Sequence, residues 1–411
     1  MKSSSHYRYT ALTIGVVTAF LLLGFQLVNL QLIDKSYKIS AQNNALRYET
    51  RYPVRGLILD RNGRVLVGNK NSYDIIVTPY DVSEFDTLEL CRIFSLNPEE
   101  VKETFKYYRR YRTRIGYQSR VFLSHVTYQQ YSQFIEKRYK FPGFSASPRT
   151  TRSYSYNAGG NLLGYITEVD PVFLKKHPDY ASGDYVGRTG IEEVCEESLK
   201  GEKGYNIYLR DANNRIQDHY ENGKYDKHAV PGKDVVSTID AQLQNYGEFL
   251  MQNKVGSVVA IEPSTGEVLC MASSPTFDPQ VLVGRKRGEN HRMLSKDKQK
   301  PLLNRAIMGT YPPGSTFKTS QALTYLQEGI ITPETQFPCS RGFRYKGLHV
   351  GCHPHGSPIP LVPSLATSCN SYYCWGLYRM IGADKYGSSQ AALTRWKDHM
   401  VAMGFGYRLG I

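Results

Sequence analysis

The longest apolar feature comes first. Residues 9–33 form a run of 25 positions without one Asp, Glu, Lys, Arg or His. About 20 apolar residues carry a helix across a hydrocarbon core, so the run predicts a single transmembrane helix over 9–33. Thr10, Thr13 and Thr18 can bond carbonyls of their own helix, and Gln26 and Asn29 fall toward the far end. No Ala-x-Ala pattern follows the run, which speaks against a cleaved leader. Lys2, His6 and Arg8 precede it, and basic flanks stay cytoplasmic, so residues 1–8 are expected inside and the bulk of the chain outside.

Beyond the run the apolar pattern changes three times. Residues 34–53 read as a polar helical stalk. Leu57 to Leu59 and Val65 to Val67 flank Asp60-Arg61-Asn62-Gly63, the pattern of a hairpin, because Asn-Gly supplies left-handed turn conformations. Residues 86–140 are charged, rich in Tyr and helix-prone. Residues 141–232 alternate strand and turn signals, and Thr189 to Glu193 opens a short helix with acidic residues in its first turn. At Val235 a strand, a helix started by Asp240 and a hairpin over 257–261 and 267–272 follow in order. We place a domain boundary near 233. Residues 34–232 are expected to form an α+β domain and 233–411 the start of an α/β or α+β domain.

Composition narrows the class. With 41 % apolar and 21 % charged residues of mixed sign, the chain is not disordered. Seven Cys among 411 residues are too few for a disulfide scaffold. The 51 basic and 37 acidic residues leave a net charge of +14, which suits an anionic partner or a solvated basic surface. KYYRRYRTR at 106–114 interleaves basic and aromatic residues, yet no nucleic-acid motif accompanies it. We read it as a solvated helix face and expect no nucleic acid.

The chemistry gathers in the last hundred residues. Pro312-Pro313-Gly314 breaks the chain, and Ser315 then starts a helix with apolar Phe317, Leu323 and Leu326. Ser315 and Lys318 are i and i+3, on one face of the first turn. A serine hydroxyl needs a base within hydrogen-bond reach, and a lysine whose neutral amine is favoured by burial can serve. Ser-x-x-Lys alone is weak: Ser295 and Lys298 repeat it in a charged stretch that reads as surface. Ser368-Cys369-Asn370 follows 53 residues after Ser315 and could equally be a helix cap. Ser155 to Asn157 and Ser95 to Asn97 also fit that triplet, so order and spacing must decide.

Together these segments resemble the class B penicillin-binding proteins. RGLILDRNG (55–63), GYITEVD (164–170), GRTGIEEVCEESLKG (187–201), VVSTIDAQLQ (235–244), NRAIMGTYPPGSTFK (304–318) and SLATSCNSYY (364–373) carry the likeness. It is strongest to the elongation-type subfamily, penicillin-binding protein 2. The resemblance implies a membrane-anchored peptidoglycan D,D-transpeptidase of the inner membrane with its bulk in the periplasm. It implies a non-catalytic pedestal of the dimerisation type at 34–232 and an α/β serine penicilloyl-binding transpeptidase domain, incomplete here, from 233. It further implies stem peptides as substrate, β-lactams as inhibitors and a multi-span glycosyltransferase as partner. Ser315 would be the nucleophile, Lys318 its base, Ser368 the proton relay to the leaving D-alanine, and Asn370 the orienting amide. The family's Lys-Thr-Gly or Lys-Ser-Gly is not found after Asn370, so the sequence is expected to be truncated and inactive by itself. A β-lactamase or β-lactam sensor on the same fold, and a scaffold that activates a wall glycosyltransferase, are the alternative readings.

Cys339, Cys352, His355 and Cys369 are spaced C-x12-C-x2-H-x13-C, a Cys₃His set suited to structural zinc. His349 or His353 could replace His355. The resemblance implies that elongation-type members can carry a zinc here with carboxylates at some ligand positions, from which Cys339 and Cys352 would be a departure. A Cys339–Cys352 disulfide, or neither, stays open. No cofactor is expected in the chemistry itself.

Overall fold

The structure, a computed structural model, describes residues 13–24, 46–110, 119–210 and 216–408. Residues 13–24 are helical and exposed, and Thr18 Oγ1 donates to the Ile14 carbonyl at 2.8 Å. The remainder of the 9–33 run lies outside the described residues, as do 1–8 and 34–45. Among the described residues no helix is long and apolar enough to cross a membrane. By compactness the chain divides into two units, Met1–Met308 and Gly309–Ile411.

The first unit opens with strands β1 (Leu46–Arg51), β2 (Ile58–Leu59) and β3 (Val65–Val77), then helices α1 (Thr87–Phe94) and α2 (Pro98–Arg110). Strand β4 (Arg120–Val126), helix α3 (Tyr128–Glu136) and strand β5 (Phe144–Tyr154) follow. Next come β6 (Ile166–Glu168), β7 (Tyr185–Gly187), the short helices α4 (Gly190–Val194) and α5 (Glu196–Leu199), β8 (Gly204–Arg210) and β9 (Ile216–His219). Strand β10 (Val235–Val236), helix α6 (Ala241–Leu250) and strands β11 (Gly256–Ile261) and β12 (Val268–Ser274) carry the pattern onward.

Strand β3 is the spine of this unit. Strand β5 pairs along it from Val67 to Val77, while β2 and β4 divide its other edge. Ile75 and Val77 pack with Leu90, Phe94, Phe134 and Phe144, so α1 and α3 bury their apolar faces on the sheet. The hairpin at Asp60 forms as its residues predict. Asp60 Oδ1 accepts the Asn62 and Arg64 N–H groups at 2.8 Å each, and Gly63 takes φ +79°. Two expectations need correction. Leu46–Arg51, assigned to a helical stalk, is a strand, because its backbone pairs with β8 from Leu46↔Leu209 to Arg51↔Gly204. The helix-prone span 86–140 also contains β4, whose partners on β3 lie more than forty residues upstream and leave no local mark.

Strand β10 runs parallel to β2, with Val235 opposite Ile58, and Asp60 Oδ2 accepts the Ala241 N–H at 3.3 Å. Asp240 caps α6 as expected, accepting from Gln242 and Leu243. These bonds hold residues 234–308 in the first unit, so division by compactness falls at Met308 although the sequence changes character near 233.

The acidic residues of the 190–199 helices do more than favour a helix dipole. Glu192 is fully buried and takes Arg55 Nε at 2.8 Å and Arg152 Nε at 2.7 Å. Arg55 Nη2 also reaches Glu196 Oε2 at 2.5 Å. Gly56 lies beside this cluster, and a Cβ there would stand 2.0 Å from the Lys233 carbonyl oxygen, so only glycine lets the two backbones pass.

The second unit holds α7 (Phe317–Gln327), the hairpin β13 (Gly342–Tyr345) and β14 (Leu348–Gly351), and helices α8 (Leu361–Ala366), α9 (Asn370–Ile381) and α10 (Ser389–Ala402). Tyr325, Tyr372, Tyr373 and Met380 form its core with Cys339 and Cys369. Gly376 seats α9 on Tyr325, whose Cε2 would lie 2.5 Å from any Cβ. The buried face of α7 is Lys318, Ala322 and Tyr325, whereas Leu323, expected in the apolar stripe, is 59 % exposed.

Glu328, at the end of α7, fastens α10. It accepts from His399 Nε2 at 2.6 Å, Arg395 Nε at 2.7 Å and the Tyr386 hydroxyl at 2.7 Å. The His399 bond first, with the other donors, holds its carboxyl far below the usual range. A depressed carboxylate stabilises the fold above its unfolded pKa, and the contribution fades as pH falls below about 4.5 toward the folded pKa. Glu328→Gln should therefore lose roughly 2–4 kcal/mol at pH 7. Its thermal midpoint should then fall less than the parent's between pH 7 and pH 3, as calorimetry at both pH values can read.

Candidate active site and cysteine–histidine cluster

Pro312 and Pro313 end the preceding segment, and Gly314 turns the chain with φ +57°. A 3₁₀ turn, Gly314–Thr316, then runs into α7. This leaves Ser315 exposed at the helix start and Lys318 buried one turn on. The i, i+3 relation that the sequence implies is thus realised, with the two residues in opposite environments.

Ser368 joins them. Lys318 Nζ donates to Ser368 Oγ at 2.9 Å and to the Ser368 carbonyl at 2.6 Å. Ser368 Oγ donates to Ser315 Oγ at 2.8 Å. The described bonds therefore run from Lys318 through Ser368 to Ser315, where the sequence suggests a direct Lys318–Ser315 contact. Burial lowers the Lys318 pKa below the ordinary lysine value, opposed by the nearby Cys352, Cys369 and Cys374 thiols.

The backbone at Ser368 explains how the hydroxyl gets there. Helix α8 closes with Ser368 N–H on the Leu365 carbonyl at 3.1 Å and Cys369 N–H on the Ser364 carbonyl at 2.8 Å. That is a Schellman closure, and its left-handed position is usually glycine. Here Ser368 occupies it with φ +56°. The cap reading of Ser368-Cys369-Asn370 thus shifts by one residue: Cys369 is the N-cap of α9, and its sulfur accepts the Tyr372 N–H at 3.4 Å.

Asn370 is placed differently from expectation. Its Nδ2 donates to the Gly351 carbonyl at 2.7 Å, and its own N–H points to Cys352 Sγ at 3.3 Å. It ties the β13–β14 hairpin to α9 and makes no described hydrogen bond to Lys318. Tyr373 was missed: its ring centroid lies 5.8 Å from Lys318 Nζ. The i, i+3 step from Asn370 to Tyr373 on one helix face is the signal that would have found it. The second Ser-x-x-Lys is surface, as expected: Ser295 and Lys298 are both exposed.

Cys339, Cys352, His355 and Cys369 come together, with ligand atoms all within 4.8 Å of one another. Cys352 Sγ lies 3.4 Å from His355 Nε2, and His355 Nδ1 meets the Gly356 carbonyl at 2.7 Å. That second contact fixes the ring as it is fixed in metal-binding histidines. Burial alone would raise the Cys352 thiol, but the Asn370 N–H and His355 outweigh it and bring it to about 7. Cys369, buried most deeply, is pushed up to about 12, burial being the main cause. All seven cysteines are free, so Cys339 and Cys352 are not a disulfide here. Three soft sulfurs and one imidazole, partly buried, fit tetrahedral zinc.

Residues 50–237 match the penicillin-binding protein dimerisation domain, and residues 256–411 the penicillin-binding protein transpeptidase domain. The chain belongs to the class B penicillin-binding proteins. The peptidoglycan D,D-transpeptidase MrdA of Salmonella typhimurium is 33 % identical over 332 residues, covering 78 % of this chain and 52 % of the relative. MrdA of Acinetobacter baumannii is 29 % identical over 407 residues, covering 96 % and 58 %. Among solved structures, penicillin-binding protein 2 of Helicobacter pylori, in complex with MreC, superposes with TM-score 0.68 at 24 % identity, over 89 % of this chain and 67 % of that one. That likeness shows a shared fold. The chain spans a little over half the length of the curated relatives it matches.

The left-handed backbone at Ser368 yields a test that separates strain from chemistry. Ser368→Gly and Ser368→Ala both remove the hydroxyl, but only alanine keeps the steric cost of positive φ. Urea unfolding should find the glycine variant more stable by about 1 kcal/mol.

Proposed function

We propose that this chain carries the nucleophile of a serine-type peptidoglycan D,D-transpeptidase of cell-wall elongation. One observation supports it above the rest: the hydrogen-bonded series Lys318 Nζ, Ser368 Oγ, Ser315 Oγ, with spacings of 2.9 and 2.8 Å. In the proposed reaction neutral Lys318 draws a proton through the Ser368 hydroxyl. Ser315 Oγ attacks the carbonyl between the terminal D-alanines of a stem peptide. The proton returns through Ser368 to the departing D-alanine nitrogen, leaving an acyl-enzyme on Ser315. The amine of a second stem peptide then attacks the ester, forms the cross-link and frees Ser315. β-Lactams imitate the first step and stall before the second. Asn370 acts by holding the β13–β14 hairpin at the site through Gly351. The matched dimerisation domain supports this reading over a β-lactamase, which has no use for a pedestal.

The membrane anchor at 9–33, the inner-membrane location and the periplasmic pedestal are part of the same proposal, supported by the 25-residue uncharged run. A multi-span glycosyltransferase is the proposed enzymatic partner, and an MreC-like protein a further partner by analogy with the Helicobacter complex. A longer form that includes a Lys-Thr-Gly or Lys-Ser-Gly motif should take a stable fluorescent-penicillin label, with the adduct on the Ser315 peptide by mass spectrometry. Ser315→Ala should abolish the label. Lys318→Ala should slow it by at least 10², the lower range for loss of a proton-transfer group. Labelling that survives Ser315→Ala would defeat the proposal, and rapid release of the label would favour a β-lactamase.

We further propose that Cys339, Cys352, His355 and Cys369 hold a structural zinc. The ion would supply no chemistry to acyl transfer; it would fasten the β13–β14 hairpin to the Ser368 loop through Cys352 and Cys369. Metal analysis should find about one zinc per chain. Cys352→Ser should lose most of it and lower the thermal midpoint, whereas His349→Ala should keep it.

A further inference from the structure

The surroundings of Ser368 are stripped of carboxylates. Acidic residues number 37 among 411, yet none occurs over 335–383, a span of 49 residues long enough to hold several at that frequency. The span contains the β13–β14 hairpin, the Ser368 loop and most of the second unit's packing through α9. Its Arg and Lys residues are Arg341, Arg344, Lys346 and Arg379, and all four are exposed. Among the described residues of the second unit the ion pairs converge on Glu328, which takes Lys385, Arg395 and His399. None of the four cations of the acid-free span has a carboxylate partner there.

Alternation along the strand decides where the hairpin side chains go. Phe343 and Tyr345 face α9, with ring centroids 4.8 Å from Trp375 and 4.7 Å from Tyr378. Arg344 and its cross-strand partner His349 lie on the opposite face and are exposed. Lys346 and Gly347, with φ +43° and +85°, make the two-residue turn at the tip. The other end of the hairpin is tied to the site, because the Gly351 carbonyl takes Asn370 Nδ2 at 2.7 Å. At about 3.4 Å per residue, Arg344 stands roughly 7 Å and Lys346 roughly 13 Å along the strand from that end. A five-residue stem peptide is about 17 Å long when extended, so the two cations fall within its reach.

We propose that the outer face of the β13–β14 hairpin binds the free carboxylates of a stem peptide, with Arg344 and Lys346 as the residues that take them. On the transpeptidase reading, on which this rests, the hairpin places the part of the substrate that lies beyond the reacting bond. Stem peptides are acidic, and a glycan strand presents many of them. A basic surface without acids attracts such a strand from a distance and holds it at several weak points. An Asp or Glu within the span could pair with Arg344 or Lys346 and leave them less to offer a ligand carboxylate. The packing of Phe343 and Tyr345 on α9 holds the hairpin in place before the substrate arrives.

The test uses the full chain in detergent with three probes. These are soluble glycan strands bearing uncross-linked stem peptides, the same strands with their carboxylates converted to amides, and dihexanoyl phosphatidylglycerol. Calorimetry should show the acidic strands binding at least threefold more weakly at about 300 mM than at about 50 mM salt. The amide strands should bind at least fivefold more weakly than the acidic ones, and the phospholipid should not displace them. One exposed ion pair changes affinity by roughly 1.5- to 5-fold, so Arg344→Gln with Lys346→Asn should weaken the acidic strands at least threefold. Asparagine suits the left-handed turn position, so the thermal midpoint should stay near the parent's. Lys106→Gln with Arg109→Gln removes as much charge from exposed positions of α2 and should leave strand binding unchanged. Should the hairpin variant fail to fold, hydrogen–deuterium exchange of the unaltered chain should show strands protecting peptides within 340–351. Equal affinity for acidic and amide strands, undiminished binding to the folded hairpin variant, an equal loss in the α2 variant, displacement by the phospholipid, or protection confined to other segments would each overturn the assignment. Failure of the transpeptidase reading shows separately, as a longer form that takes no penicillin label.

Discussion

The contact between the buried Lys318 amine and Ser368 is the constraint on which the site depends. Nζ meets both the hydroxyl and the carbonyl of one residue, so the lysine reads the position of the Ser368 side chain and backbone at once. Burial penalises the ammonium form and favours the neutral amine that a base requires. The same burial would be costly without hydrogen-bond partners, and Ser368 provides two. Move Ser368 by an ångström and Lys318 loses its partners while Ser315 loses its neighbour.

Ser368 is held there by the closure of α8 on one side and the start of α9 on the other. The left-handed backbone costs on the order of 1 kcal/mol for a serine, and the chain tolerates it because two backbone hydrogen bonds and the Lys318 contact fix the turn. Cys369 is at once the cap of α9 and a member of the Cys₃His cluster, so the cluster and the Lys318–Ser368–Ser315 series meet at two adjacent residues, Ser368 and Cys369. Asn370 completes the tie through the Gly351 carbonyl. The core beneath, built on Tyr325, Gly376 and Tyr372, sets the distance between α7 and α9 that these contacts need.

In the first unit a different device serves the same end. Glu192 gathers Arg55 and Arg152 from distant segments into one buried charged cluster. Such a cluster adds little net stability compared with an apolar core, but it tolerates few alternative pairings, because any other arrangement would leave a charge buried alone. The glycines around it, Gly56 above all, mark where backbones touch. The conspicuous RG and TGIEE segments of the sequence meet at this cluster.

Local chemistry determined much of this protein. The Asn-Gly hairpin, the Asp240 cap, the strands of 256–274 and the helix after Pro-Pro-Gly were legible because each rests on a few neighbouring residues with strong backbone preferences. The i, i+3 placement of Ser315 and Lys318 was legible because a helical turn sets it, and the grouping of Cys339, Cys352, His355 and Cys369 because three thiols and an imidazole at reachable spacings stand out in the sequence. Tertiary structure alone decided the rest. Leu46–Arg51 became a strand only by meeting β8, and β4 only by meeting β3. The left-handed turn at Ser368, the Asn370 bond to Gly351 and the burial of Glu192 depend on groups far away in the chain. A sequence reports what each residue prefers by itself. It does not report which distant backbone donor, acceptor or charge will stand beside that residue once the chain has closed, and hydrogen bonds and buried charges are satisfied only by such neighbours.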